Sequence, residues 1–118
     1  MADHKVFKIH DKLHVTITSK QIELTPRLRA YIQQKTSKLT KYFSHISDIH
    51  IIVSEEKYRH VIEINALTNG ITMPGRAEHA DIHTAFDKAL SKVENQIRRY
   101  KDKIVTHTSK QEKTGSIS

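Results

Sequence analysis

Nine histidines are the residues that first invite chemistry. His79 and His83 stand four apart, the spacing at which two ring nitrogens can share one face of a helix and ligate a metal. A metal-dependent enzyme built on them would need a third ligand and a nearby base, and no HExxH pattern supplies either. His79 also precedes Asp81, which reads as a helix cap, so the two rings need not share a face. A structural role is the simpler reading of both. His14, His50 and His60 fall at strand positions that face solvent or pair across strands. With no cysteine there is no thiol nucleophile, thiolate metal site or disulfide framework. No GxSxG elbow is present, and three glycines in all argue against a phosphate-cradling loop.

The chemistry that the charges offer is the binding of a polyanion. Twenty Lys and Arg stand against 13 Asp and Glu, a net charge of +7, and the excess is local. Residues 25–47 hold Arg27, Arg29, Lys35, Lys38 and Lys41 with no acid; residues 82–104 hold Lys88, Lys92, Arg98, Arg99, Lys101 and Lys103 against three acids. At roughly 100° per residue, Arg27, Lys35, Lys38 and Lys41 lie on one side of a first helix, with Tyr31 and Tyr42 among them. By the same construction Lys88, Lys92, Arg99 and Lys103 fall within about 60° of one another on a second helix, and Asp87 and Glu94 take the opposite flank. A helix tuned only for solubility would mix the two signs. The plainer account, that late cations favour the helix macrodipole, covers Arg98 to Lys103. It fails for Arg27 and Arg29, which sit in a first turn where positive charge is unfavourable by about 0.3–1 kcal/mol each. Two antiparallel or inclined helices with such faces predict a continuous basic ridge that fits a phosphate backbone.

The elements that must position these cations are legible from periodicity. Leu13, Val15 and Ile17 alternate with polar residues as a strand buried on one face. Thr25-Pro26 announces a helix, a capping hydroxyl followed by a proline at the first helical position, running to about Tyr42. Ile49, Ile51 and Val53 mark a second strand, and residues 58–67 a third with Ile62, Ile64 and Ala66 inward. Asn69-Gly70 is a type I′ hairpin signal. The fourth strand runs from Ile71 to about Glu78, and Pro74 within it predicts an edge position. Asp81 caps the second helix, whose core stripe is Ile82, Ala85, Phe86, Ala89, Val93, Ile97, Tyr100 and Ile104.

The expected fold is α+β with the order βαβββα: a four-stranded mixed sheet, the first two strands joined by a right-handed crossover and therefore parallel, and two helices packed on one face. Leu, Ile, Val and Phe number 30, and 21 of these are Ile or Val, enough for a core and biased toward a sheet. Residues 1–12 form an N-terminal extension with no assigned element, residues 13–104 the domain, and residues 105–118 a polar tail expected to be disordered. No apolar run approaches a membrane span and no signal peptide is legible, so a soluble cytoplasmic protein is expected. Phe43 and Phe86 fall on apolar stripes and read as core. Tyr31 and Tyr42 suit base stacking and packing equally, and no exposed aromatic pair marks an RNA recognition motif.

Three blocks, ITSKQIELTPRLRAYI (residues 17–32), KLTKYF (residues 38–43) and AEHADIHTAFDKALSKVENQIRRYKDK (residues 77–103), closely resemble the ribosome hibernation-promoting factor family, also called the sigma-54 modulation protein family, which includes the ribosome-associated inhibitor. The resemblance implies the same βαβββα fold and a factor of stress and stationary phase. Such a factor catalyses no reaction and needs no cofactor, metal or small-molecule substrate. It binds the small ribosomal subunit in the channel of messenger and transfer RNA, contacts ribosomal RNA through basic helix faces, and inhibits translation. Carried onto this chain, the RNA contacts are Arg27, Lys35, Lys38, Lys41, Lys88, Lys92, Arg99, Lys101 and Lys103. The long form's second, ribosome-dimerising domain is not expected here. The ITSKQ block looks like the inhibitor branch, which keeps ribosomes single, and RRYKDK like the short branch that promotes ribosome dimers; both outcomes stay open. The alternative function is a general double-stranded RNA-binding module, since duplex shape is also read by helices on a small sheet.

Overall fold

Thr25 and Pro26 start a helix as their chemistry requires. In the computed structural model, which describes residues 4–8 and 14–114, with 4–8 and 102–114 as backbone only, α1 spans Pro26–Tyr42 and Thr25 Oγ1 accepts the Leu28 N–H at 3.1 Å. The other elements are β1 (His4–Lys8), β2 (His14–Lys20), β3 (Ile46–Glu56), β4 (Arg59–Thr68), β5 (Ile71–His79) and α2 (Ile82–Thr114). Asp81 caps α2, its Oδ2 accepting the Thr84 N–H at 2.9 Å and the Thr84 hydroxyl at 2.7 Å. Those two bonds, the hydroxyl first, hold the Asp81 carboxyl below its usual range.

The strands form one sheet in the order β1-β2-β3-β4-β5, with β2 and β3 parallel and the other neighbours antiparallel. The βαβββα arrangement with a mixed four-stranded sheet is therefore present as β2 to α2. A fifth strand, β1, lies within the extension that carried no assignment. Val6 and Phe7 have strand propensity, and pairing from His4↔Lys20 to Lys8↔Thr16 covers what would otherwise be an open sheet edge. Pro74 sits on the other edge, in β5 opposite Asn65. Leu13, expected to open the first strand, lies outside the described residues.

One face of the sheet carries the core. Val15 and Ile17 of β2, Ile49, Ile51 and Val53 of β3, Ile62, Ile64 and Ala66 of β4, and Met73 and Ala77 of β5 are buried against Leu28, Ile32 and Leu39 of α1 and Ala85, Phe86, Ala89, Leu90, Val93 and Ile97 of α2. Both helices lie on that face. Gly75 of β5 lets α2 come close: a Cβ there would collide with Ala89 O and stand 2.8 Å from Val93 Cγ2. Two buried hydroxyls are absorbed locally, Ser19 donating to Ile22 O and Thr36 to Ile32 O.

Two boundaries differ from expectation. α2 does not stop near Ile104 but continues to Thr114, so residues 105–114 of the expected disordered tail are helical and 115–118 lie outside the described residues. Nothing in 105–114 breaks a helix: it holds no Gly or Pro, and Lys110, Gln111, Glu112 and Lys113 are good helix formers. The third strand begins at Arg59, because Lys57 and Tyr58 form the tip of the β3–β4 hairpin with φ of 45° and 68°. Asn69 and Gly70, at φ 51° and 77°, make the same kind of turn with residues suited to it. Left-handed backbone costs an ordinary L-residue about 1–2 kcal/mol, so the Lys57→Asn, Tyr58→Gly double variant is expected to raise stability by at least about 1 kcal/mol. Urea unfolding checks this as a higher midpoint at unchanged slope.

Candidate nucleic-acid interface

Each helix gives one stripe to the core, so its cations are confined to the flanks. Arg27, Lys38 and Lys41 of α1 are exposed and Lys35 is half-buried; Lys88, Lys92, Arg99 and Lys101 of α2 are exposed. Lys103 lies on α2, its side chain outside the described residues. The two helices run in the same direction. Tyr31 near the start of α1 packs edge-on to His83 and Phe86 near the start of α2, with ring centroids 4.7 and 6.0 Å apart. Phe43 at the end of α1 lies under Arg98 and Lys101, further along α2. This follows from topology, because β3, antiparallel to β4 and hence parallel to β5, places both helices after strands of one direction.

Parallel helices break the expected continuous ridge. With the two axes aligned, the basic side of α1 turns toward α2, and the flank of α2 that meets it is the acidic one. Tyr31 OH donates to Asp87 at 2.7 Å to Oδ1 and 2.9 Å to Oδ2. That bond, then burial, then the negative charges of Asp87 and Asp81 push the phenol up to about 12. The seam between the helices is thus a tyrosine–aspartate brace, and the cations collect at three places around it.

The first is an open cleft at the N-terminal end of the seam, lined by Arg27, Tyr31, Gln34 and His83, with Lys35 Nζ 5.4 Å from the Tyr31 ring centroid. The second is an open groove between α2 and the β5 edge, lined by Arg76, Lys92, Asn95, Gln96 and Arg99. There Lys92 Nζ donates to Arg76 O at 2.7 Å and Gln96 Nε2 donates to Pro74 O; Lys88 precedes Lys92 by one turn. The third is the C-terminal end of the seam, where the Arg98 guanidinium carbon is 5.9 Å and Lys101 Nζ 5.3 Å from the Phe43 ring centroid. So the structure joins Lys92 to Arg99 and Arg27 to Lys35. It sets Lys101 apart from both pairs, and leaves Lys38 and Lys41 on the exposed side of α1 without a shared cleft.

Sequence reading missed Arg76, Asn95 and Gln96. The groove exists because Gly75 brings α2 down onto β5, and Arg76 enters it through its carbonyl, which accepts from Lys92, while its guanidinium pairs with Glu63 and Glu78 on the open sheet face. The two faces of the molecule differ in how charge is used. On the open face of the sheet, Arg76 pairs with Glu78 at 2.9 Å and Glu63 at 3.8 Å, and Arg59 with Glu78 at 3.8 Å. Among the described side chains no ion pair engages Arg27, Lys35, Lys38, Lys41, Lys88, Lys92, Arg99 or Lys101.

His14, His50, His60 and His79 are occupied structurally. His79 Nδ1 accepts the Asp81 N–H at 2.9 Å, His60 Nδ1 donates to Ala80 O at 2.9 Å, and His14 and His50 bond Asp48 and Thr18 across the β2–β3 pair. His83 packs edge-on to Tyr31. Among the described residues no group of three His, Asp or Glu is placed to hold a metal, and no helix is long and apolar enough to cross a membrane.

The family model for the sigma 54 modulation protein / S30EA ribosomal protein matches residues 15–105. The chain belongs to this family. A ribosome hibernation promoting factor of Escherichia coli (strain K12) is 30% identical over 95 residues, covering 80% of this chain and 100% of the relative. One from Azotobacter vinelandii is 31% identical over 91 residues, covering 77% of this chain and 85% of the relative. Among solved structures, a ribosomal subunit interface protein from Coxiella burnetii superposes with a TM-score of 0.70 at 27% identity, over 75% of this chain and 97% of that one. The N-terminal domain of Thermus thermophilus Protein Y, at 22% identity and a TM-score of 0.65 over 76% of this chain and 99% of that one, shares the fold.

In this member of the family the brace across the seam is directly measurable. Of four tyrosines, Tyr31 is expected to give the late phase of an alkaline absorbance titration, near 12 rather than the ordinary 10.0. Tyr31→Phe should abolish that phase and Asp87→Asn should move it down. Since the raised value belongs to the folded state, the contribution of Tyr31 to stability is full below about pH 10 and is lost as pH rises through about 12.

Proposed function

We propose that this chain is a ribosome hibernation factor. It binds the small ribosomal subunit in the channel of messenger and transfer RNA, holds ribosomal RNA phosphates with the basic flanks of α1 and α2, and inhibits translation by occupying that space. The observation that carries the reading is the division of charge: Arg59 and Arg76 on the sheet face pair with carboxylates, whereas Arg27, Lys35, Lys38 and Lys41 of α1 and Lys88, Lys92, Arg99 and Lys101 of α2 have no carboxylate partner among the described side chains. Unpaired cations gathered on one side are what counterion release from RNA requires. The names borne by the relatives supply the ribosome as the source of that RNA. Arg27, Lys35, Lys38 and Lys41 on α1, and Lys88, Lys92, Arg99, Lys101 and Lys103 on α2, are the phosphate contacts. No bond is made or broken in this mechanism. Electrostatic attraction gives the on-rate and most of the affinity, and the folded domain gives the bulk that excludes other ligands.

Added to a cell-free translation system, the protein is expected to suppress synthesis and to compete with initiator transfer RNA for small subunits. Undiminished translation at excess protein overturns the proposal. Free duplex RNA that displaces the protein stoichiometrically would establish a general duplex-binding module instead. Changing Lys88, Lys92, Arg99 and Lys103 together to Gln should lower small-subunit affinity and flatten its salt dependence. Each lost phosphate contact removes roughly 0.7 from the slope of log affinity against log salt, up to about 3 for four. The charge-matched control, with Lys5, Lys8, Lys20 and Lys57 changed to Gln, should leave the slope nearly intact, because diffuse attraction is screened where direct contact is not.

A further inference from the structure

Where α1 ends, the chain turns through Ser44 into β3 and leaves a cavity of about 180 Å³ between that turn, the β4–β5 hairpin and α2. Its walls are mostly apolar, from Phe43, Ile97 and Tyr100, and Lys101 stands at its rim. Two observations separate it from a packing defect. Thr68, 3% exposed, lines it, and the Thr68 Oγ1 atom is buried with no hydrogen-bond partner. An unpaired buried hydroxyl is a net cost to folding, so it is a group that a ligand can satisfy. Beside the cavity two cations, Arg98 and Lys101, cover the Phe43 ring without a carboxylate partner among the described side chains.

We propose that this cavity receives one unstacked pyrimidine base of an RNA strand whose adjoining phosphates are held by Arg98 and Lys101; the inference rests on the RNA-binding reading above. An apolar cavity of about 150 Å³ accommodates benzene, so the volume here suits one six-membered ring with its exocyclic groups. Aromatic and aliphatic walls suit the faces of such a ring. Its polar edge offers the donor or acceptor that Thr68 lacks, and the phosphate brings the negative charge that the rim lacks. A leucine or phenylalanine side chain from a protein partner would fill the walls but would leave the hydroxyl unpaired and the cations unanswered.

The test titrates the full chain, followed by NMR, with uridine and cytidine 5′-monophosphates, and with ribose 5-phosphate as the base-free probe. Signals of Phe43, Thr68, Ile97 and Tyr100 are expected to move with the nucleotides, whereas ribose 5-phosphate should move only those of Arg98 and Lys101. Nucleotides that perturb the cations alone overturn the proposal. Two variants then test use of the cavity on small subunits: Thr68→Val, which removes the hydroxyl at constant shape, and Ser44→Trp, which blocks the mouth from an exposed position. Each should weaken binding roughly three- to tenfold, while Thr68→Val raises the thermal midpoint because the unpaired hydroxyl is gone. Wild-type protein that ignores small subunits refutes the functional reading, and the nucleotide titration still judges the cavity. Variants that bind as well as wild type show the cavity unused. Variants that bind worse while nucleotides leave the cavity signals unmoved assign it to a protein side chain, which also overturns the proposal.

Discussion

Covering one face of a single sheet with two helices is the constraint on which the rest depends. The inward residues of β2 to β5 put most of the sheet's apolar surface on one side, although Val61 is buried on the other. The 22 residues of the buried cluster come from that inward side, from one stripe of each helix, and from Leu24 and Phe43 at the two ends of α1. A helix that surrenders its inner stripe keeps an outer face and two flanks. Because β3 and β5 run the same way, the helices do too, and equivalent flanks point in equivalent directions. The basic flank of α1 must meet the seam, and the basic flank of α2 must meet the β5 edge.

That geometry gives the seam its chemistry. Two basic flanks pressed together would repel, and the chain instead presents the acidic flank of α2 to α1. Asp87 takes the Tyr31 hydroxyl with both oxygens, a neutral donor to a charged acceptor, which is among the stronger kinds of hydrogen bond. Among the described side chains Asp87 forms no ion pair with Arg27 or Lys35. Charge segregation on α2 therefore has two causes: the outer flank is free to be basic, and the part of the inner flank facing Tyr31 is acidic, whereas further along Arg98 and Lys101 lie over Phe43.

What could be read from the sequence was local. Thr25-Pro26, Asn69-Gly70, Pro74 and Asp81 each carry a backbone consequence within a few residues, and each stands where that consequence placed it. Periodicity likewise gave the inward sets of β2, β3 and β4 and most of the stripe of α2; Leu90 was missed because its phase lies at the margin of that stripe. The features that escaped depend on partners distant in the chain. β1 covers what would otherwise be an edge at β2, a requirement that the modest strand propensity of Val6 and Phe7 does not announce by itself. The Lys57-Tyr58 tip has none of the residues that mark a type I′ turn, and is imposed by the long register between β3 and β4 on either side of it. The relative direction of the helices is a property of the sheet order, and with it goes the knowledge of which cations share a groove.

The placement of cations on helices rather than loops has an energetic logic. A cation in the first turn of α1 opposes the helix dipole, and unpaired cations on neighbouring turns oppose one another, so the free domain carries an electrostatic cost on this side. On a loop that strain would relax by motion, and binding would then have to restore the order lost. On α1 and α2 it cannot relax, since the stripes of Leu28, Ile32 and Leu39 and of Phe86, Val93 and Ile97 hold both helices to the sheet. The core thus keeps the cations preorganised at spacings set by the helical repeat, and under the proposed function neutralisation by phosphates would relieve a repulsion already present in the free state. The open face of the sheet, where Arg59 and Arg76 are answered by Glu63 and Glu78, has no such repulsion to relieve. On the proposed function, attraction to a polyanion would be strongest on the helical side of the molecule, which would orient it on approach before any contact forms.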